Sequence, residues 1–325
     1  MEVKTGELND ERTSRQFYDD RYTAGYMDEW PPEKQDRVLE LIQSLGLPPT
    51  GNALDFGCGN GVFTDVVHRA LPGWKVFGTD ISDVALVHAQ KRVPSCTFFA
   101  QDDQIAAKKF DFLFTHHVLE HVYDLPAVWR QIIDFMKPGS TMLHILPCGN
   151  EGSLEQRLSL MMIDGIDADG GHRFFFEDTG HLRRLNTEQA RAMAAESGFE
   201  LAEQYYANQQ AGSIEWITRT ELSFVSMMID PTRVKESDSR AEIRRLRNKL
   251  MVITFMRTLL DRARSVGKRK LSAKGWSAAV SGLAFYPVLS LVDRYMKRRA
   301  QWEWQHRKTD PGGSEMYLCF TRRAN

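Results

Sequence analysis

Three glycines at alternate positions, Gly57, Gly59 and Gly61, follow a short apolar run ending in a carboxylate, Asp55, within the stretch ALDFGCGNGVF. A turn without Cβ atoms lets a flat ligand lie against the main chain. A second stretch, FDFLFTHHVLEHVYDL, gathers titratable groups: His116, His117, Glu120 and His121. Imidazole exchanges protons near neutral pH, so general acid–base chemistry would sit there. A third group, His172, Arg173, His181, Arg183 and Arg184, crowds one long connection, as substrate-binding loops do. Its segment DGIDADGG is a poor calcium loop, because a register that fits Asp167, Asp169 and Gly170 puts Phe176 where a glutamate is needed.

These residues need elements to hold them. From residue 50 the chain alternates short apolar runs with amphipathic stretches, the βαβ pattern of a parallel sheet covered on both faces. Strands are expected at about 52–56, 75–79, 96–100, 110–115 and 140–147. The helix after the fourth begins at an Asp124 cap, carries Pro126 in its first turn and stops at Pro138-Gly139, a turn that launches the fifth strand. A further helix is capped by Asn186 and closed by Gly198, and FELAEQYY reads as strand six. The last strand is MYLCFT.

The glycine turn therefore lies at the carboxyl end of the first strand, where open α/β sheets bind ligands. A dinucleotide site would need G-x-G-x-x-G, but position 62 is Val and the third glycine comes one residue early. Hydrophobic-Asp-hydrophobic followed by G-x-G-x-G resembles the first motif of the class I S-adenosylmethionine-dependent methyltransferases, and LDFGCGNG is its form here. The resemblance spans about residues 50–147 and continues weakly through HLRRLNTEQARAMAAESGFEL. It implies a Rossmann-like, seven-stranded, mostly parallel sheet and S-adenosylmethionine as cofactor. Asp55 would serve the cofactor's cationic amino acid end, and Gly57, Cys58, Gly59 and Gly61 would form the turn. Asp80, with Ile81 after it, would receive the ribose hydroxyls. Asp102, or Asp103 in the alternative register, would meet the adenine. His116 and Tyr26 complete the cofactor set, Tyr26 together with Tyr18 and Tyr22 from an N-terminal segment that precedes the first helix and folds over the cofactor.

The run FD…LEH-V is similar to the fourth-strand signature of that family and is shared with the quinone-biosynthesis O-methyltransferases. It makes His117, Glu120 and His121 the catalytic candidates, His117 as base; a structural or cofactor-facing role for the pair is the competing reading. Where those relatives carry a first metal-associated glutamate this chain has His117, so no metal is assigned. His172, Arg173 and His181 are the substrate-binding candidates, with ordinary packing and ion pairing as their alternative.

Composition sets the frame. The 325 residues, 42% hydrophobic and 26% charged, are those of a globular chain with a sizeable core. The four cysteines lack metal-ligand spacing, and the N-terminus has no apolar leader, which points to the cytoplasm. Charge is unevenly spread: residues 1–230 hold 20 Lys+Arg against 35 Asp+Glu, and residues 231–300 hold 18 against 5. The organisation expected is a core over 1–208, a basic helical insertion over 209–313 between strands six and seven, and the last strand over 314–325. Gly275 to Val292 is free of charge, but a span there would put strand seven across the membrane from its sheet. The insertion is a soluble cap, an anionic-membrane element peripheral on the inner face, or a nucleic-acid arm; no RNA-binding signature accompanies the charge. The function expected is methylation of an O or N nucleophile on an amphiphilic, lipid-linked or saccharide-linked small molecule. An RNA methyltransferase and a non-catalytic cofactor-binding scaffold are the alternatives.

Overall fold

The computed structural model describes residues 10–100, 108–266 and 280–322. The chain divides into two compact units, Met1–Pro147 with Asp178–Gln204 and Met316–Asn325, and Cys148–Glu177 with Tyr205–Glu315. The second is thus larger than the insertion expected over 209–313, because it also takes up Cys148–Glu177.

The first unit opens with α1 (Glu11–Thr23), α2 (Pro32–Ser44), β1 (Asn52–Phe56), α3 (Val62–Ala70), β2 (Lys75–Asp80), α4 (Asp83–Arg92) and β3 (Thr97–Ala100). It continues through β4 (Phe110–His116), α5 (Leu125–Phe135), β5 (Met136–Pro147) and α6 (Thr187–Glu196). The sheet is completed by β6 (Phe199–Ala207) and β7 (Glu315–Arg322). Seven strands run in the order β3-β2-β1-β4-β5-β7-β6, with β3 to β5 paired in parallel. Strands covered on both faces read as continuous apolar runs, and in β4 every residue but Asp111 is buried. Leu54, Phe56, Phe110, Phe112 and Phe114 form the centre of this core.

Two local features depart from expectation. α5 starts where the sequence places it, with the Asp124 side chain accepting the Ala127 N–H at 2.9 Å, but it ends at Phe135 and β5 begins without a turn. Pro138-Gly139 lies inside the ladder, where the β4–β5 register shifts between Phe110 and Phe112 and Gly139 takes φ +73°. A proline has no N–H for the ladder, so an irregularity is where a strand tolerates it. The segment carrying the three tyrosines does not precede the first helix; Tyr18 and Tyr22 lie in α1, begun by a capping box between Asp10 and Thr13, and Tyr26 in the loop that follows it.

In the second unit, the helices Leu154–Met161, Ala211–Ile217, Leu222–Met228, Arg240–Arg264 and Tyr286–Arg307 accompany a small hairpin, Ile166–Asp167 with Arg173–Phe174. Leu158, Met162, Phe174 and Phe176 share one core with Ile217, Met228, Ile243 and Leu250, which is why residues 148–177 belong here. No described helix is long and apolar enough to cross a membrane.

Within the first unit His144 on β5 is fully buried, its Nδ1 2.8 Å from Thr115 Oγ1, and burial pushes its pKa down to about 3. The unfolded chain binds a proton near pH 6.5 that the native ring refuses, so its contribution is present above pH 6.5 and lost as pH falls. By pH 5 the loss should reach about 2 kcal/mol. Urea unfolding of His144→Leu should show a shallower decline between pH 7 and 5 than wild type; parallel curves would contradict this.

Candidate active site

The glycine turn is stitched to the neighbouring strand by its own backbone. Gly57 and Cys58 donate N–H bonds to the Thr79 carbonyl at 2.8 and 2.9 Å, and Gly59 donates to Asp80 Oδ2 at 2.8 Å. Gly57, Gly59 and Gly61 all have positive φ, which other residues adopt at a cost. The turn is also crowded: a Cβ at Gly57 would lie 2.4 Å from Val118, and one at Gly59 2.6 Å from the Tyr22 hydroxyl. Gly61 caps α3 and packs on Ala89, 3.0 Å from where its Cβ would be.

Above the turn lies a cavity of about 380 Å³. Of the residues expected to hold a cofactor, Asp55, Gly57, Cys58, Gly59, Asp80, Ile81, His116 and Tyr26 line it. Gly61 does not line it, being used in the start of α3, and Asp102 and Asp103 lie outside the described residues. Asp80 accepts from Gly59 and, through Oδ1, from the Ser82 N–H at 2.9 Å; burial pushes it up to about 6 against the pull of these bonds. Asp55 accepts from Thr64 Oγ1 at 2.6 Å, and burial pushes it up to about 7.

The wall opposite the turn comes from α1 and the loop after it. Tyr18, Tyr22 and Tyr26 all face the cavity, and burial raises each phenol, keeping it protonated. Arg21 holds this wall in place through paired contacts to Asp178 at 2.6 and 2.5 Å, while its guanidinium lies over the Tyr26 ring at 3.6 Å. Burial would raise Asp178, but Arg21 outweighs it and holds the carboxyl at about 2. Asn60 closes the corner, donating to the Met27 carbonyl at 2.9 Å and Asp28 at 3.1 Å.

At the end of β4, His116 stacks on Phe63 at 3.9 Å and meets Trp30 edge-on at 4.6 Å. His117 follows with φ +54°, a turn that carries its ring to Trp30 at 5.6 Å. Its Nδ1 is 2.8 Å from Glu120 Oε1, near enough for an ion pair though not aligned as a straight hydrogen bond, and its Nε2 is 3.3 Å from Lys34 Nζ. An ammonium only donates, so this contact leaves Nε2 as acceptor and the proton on Nδ1. Glu120 is fully buried; burial pushes its carboxyl up, but His117, with His121 and His181 behind it, outweighs this and holds it at about 2. His121 is kept neutral by burial, at about 4, with Nδ1 3.0 Å from the Gly180 carbonyl.

His181 joins this group, its ring 4.5 Å from that of His121. His172 and Arg173 belong to the second unit and are absent from the cavity lining. His172 takes φ +60° in the hairpin turn, and Arg173 is bound to Asp167 at 2.9 Å and to the Gly170 carbonyl at 3.0 Å. The DGIDADGG stretch is thus a turn closed by its own acid. Ser14, Trp30 and Lys34 are not expected from the motifs because they lie far from them in sequence, and Phe63, at the end of the glycine stretch, carries no signal that separates a site ring from ordinary packing.

Residues 28–204 match the family model of the methyltransferase domain, more than half of the chain. The chain belongs to the methyltransferase-domain family. A trans-aconitate 2-methyltransferase of Variovorax paradoxus is 28% identical over 122 residues, 37% of this chain and 47% of the relative. One from Yersinia pestis is 24% identical over 131 residues, 37% of this chain and 51% of the relative. The chain therefore spans about half the length of the curated relatives it matches. Among solved structures, the [4+2]-cyclase SpnF overlays with a TM-score of 0.51 at 13% identity, covering 97% of each chain, a likeness of fold alone.

The family's cofactor is S-adenosylmethionine, and the residues of this chain fit it. The Tyr18 and Ser14 hydroxyls are buried, line the cavity and have no hydrogen-bond partner among the described residues, as expected of groups that meet a polar ligand. Two carboxylates wait where a cation and ribose hydroxyls would be bound. By calorimetry, Asp80→Asn and Gly59→Val should each weaken S-adenosylhomocysteine binding at least about tenfold. Because the ligand's ammonium favours ionised Asp55 and its ribose hydroxyls favour ionised Asp80, wild-type affinity should be full above pH 7 and fall as pH drops through 7 and 6. The fall should be up to about tenfold per unit for each group. A flat profile would mean that neither carboxylate meets the ligand.

Proposed function

We propose that this chain transfers a methyl group from S-adenosylmethionine to a hydroxyl, or a comparable N nucleophile, of an amphiphilic small molecule. The observation that carries this reading is His117, set at the cavity with Nδ1 against buried Glu120 and Nε2 turned to Lys34. The bound cofactor supplies an electrophilic methyl on a sulfonium. The acceptor hydroxyl replaces Lys34 at the Nε2 lone pair of His117, Nε2 takes the acceptor's proton, and ionised Glu120 stabilises the imidazolium that results. Lys34, beside Nε2, offers a positive charge to the oxygen as it loses its proton. The Trp30 ring, against both Lys34 and His117, orients the pair. His121, neutral and anchored to Gly180, keeps the Glu120 side of the site dry and fixed.

The acceptor class follows from the lining. Tyr18, Tyr22, Trp30, Phe63 and Val118 suit an apolar or aromatic body, and no lysine or arginine is among the described lining residues; Lys34, reaching in beside His117, is a single cation, too little for a polyanion such as trans-aconitate. A saccharide- or lipid-linked intermediate with one reactive hydroxyl meets the same description.

The test is release of S-adenosylhomocysteine with trans-aconitate and with hydroxylated aromatic and lipid-linked acceptors. Turnover should favour the latter and rise with pH through an imidazole ionisation, since only the unprotonated ring accepts the proton. His117→Ala should lower turnover about 10²-fold or more with cofactor affinity retained. Preference for trans-aconitate, or near wild-type turnover by His117→Ala, would overturn the assignment.

A further inference from the structure

The second unit carries a surface that methyl transfer does not use. On the helix Tyr286–Arg307, Val288, Leu291, Tyr295 and Trp302 recur at i, i+3, i+7 and i+14, so they line one side of the helix, and they are 55, 61, 59 and 50% exposed. Just upstream Val280, Leu283 and Phe285 are 61, 51 and 61% exposed. Arg298 falls within the same stripe, and Arg294 and Arg299 flank it, all three exposed. Leu289, Met296 and Trp304, on the opposite side, are buried.

The acids of this stretch are turned inward. Asp293 is buried against Arg257 at 2.9 Å and also faces Arg264 at 3.4 Å. Glu303 is buried at the start of the helix Ala211–Ile217, accepting the N–H groups of Gln210, Ala211 and Gly212 at 3.1, 2.6 and 2.9 Å. The outward face of residues 280–307 therefore presents large apolar and aromatic side chains with arginines and no exposed acid.

We propose that this face docks on an anionic lipid bilayer. Contiguous exposed apolar side chains are costly in water and mark an interaction surface. Tyrosine and tryptophan suit a headgroup boundary, and arginines beside them meet acidic lipid while their stems lie along the acyl surface. A second copy of the chain is the poorer occupant, because a self-complementary contact would bring the arginines of one face against those of the other. Polyanionic nucleic acid would satisfy the arginines and leave Val288 and Leu291 uncovered. The helix would lie in the plane of the membrane, not across it.

The test is flotation of the full chain with vesicles of phosphatidylcholine plus phosphatidylglycerol and with phosphatidylcholine alone, at low and high salt. The wild type should partition to the mixed vesicles at least about tenfold better than to neutral ones, and salt should shrink the difference. Arg298→Glu/Arg299→Glu should lower binding to mixed vesicles more than about tenfold. Leu291→Glu/Trp302→Glu should abolish it on both. Arg298→Gln/Arg299→Gln, which adds no charge at these exposed positions, should give an intermediate loss and guards against misfolding of the first pair. Failure to float under any condition, or variants that bind as wild type, would overturn the proposal. So would a dimer in sedimentation that Leu291→Glu disperses while no lipid is bound, or retention by tRNA with no lipid binding. None of these readouts requires turnover, so their failure leaves the methyl-transfer reading intact.

Discussion

The closure of the glycine turn onto the end of β2 is the constraint on which the rest of the first unit depends. Three successive N–H groups, of Gly57, Cys58 and Gly59, are all spent on Thr79 and Asp80. That arrangement requires left-handed backbone at the glycines, and it turns the loop's bare edge toward the cavity. α3 starts directly from it at Gly61. Asp80 is thus a strut of the turn, and the carboxylate proposed to meet ribose is the same one that holds it. Any change there acts on shape and on binding together.

The end of the cavity around His117 is built on a different principle. Around His117 the order comes from charge, with an anion that burial alone would neutralise kept ionised by imidazoles on one side. A cation held over an aromatic face stands on the other. A site of this kind is sensitive to small losses of contact, because a buried carboxylate without its partners is costly. The α1 wall, tied through Arg21 and Asp178, shields this group and brings His181 up to it. The wall that would cover the cofactor and the wall that supports His117 are therefore one piece of structure.

What could be read in advance follows from range. The sheet, the glycine turn and the Asn186 and Asp124 caps are local signals, a period or a punctuating residue, and they lie where the sequence puts them. α1 was hidden because its FYDDRY stretch has too few apolar residues to show a period, and only its capping box announces it. Pro138-Gly139 misled because the same dipeptide serves a turn or an irregular ladder, and only the partner strand decides which. Lys34 and Trp30 are some eighty residues from His117, and no spacing rule connects them. Likewise Phe174 and Phe176 could be placed in the second unit only once Ile217 and Leu250 were seen beside them.

The sheet order carries a consequence for how the chain is made. β7 lies between β5 and β6, although it comes more than a hundred residues after β6 in the sequence. While the protein emerges from the ribosome, β6 has no edge to join until Glu315–Arg322 has been synthesised, and β5 meanwhile presents an open, largely apolar border. Such long-range pairing is slow and leaves hydrophobic surface exposed in transit. The intervening helices, whose contacts are nearer in sequence, can assemble first. Folding of the whole should therefore be late and nearly all-or-none at its last step, making the nascent chain a client for chaperones that shield unpaired sheet edges.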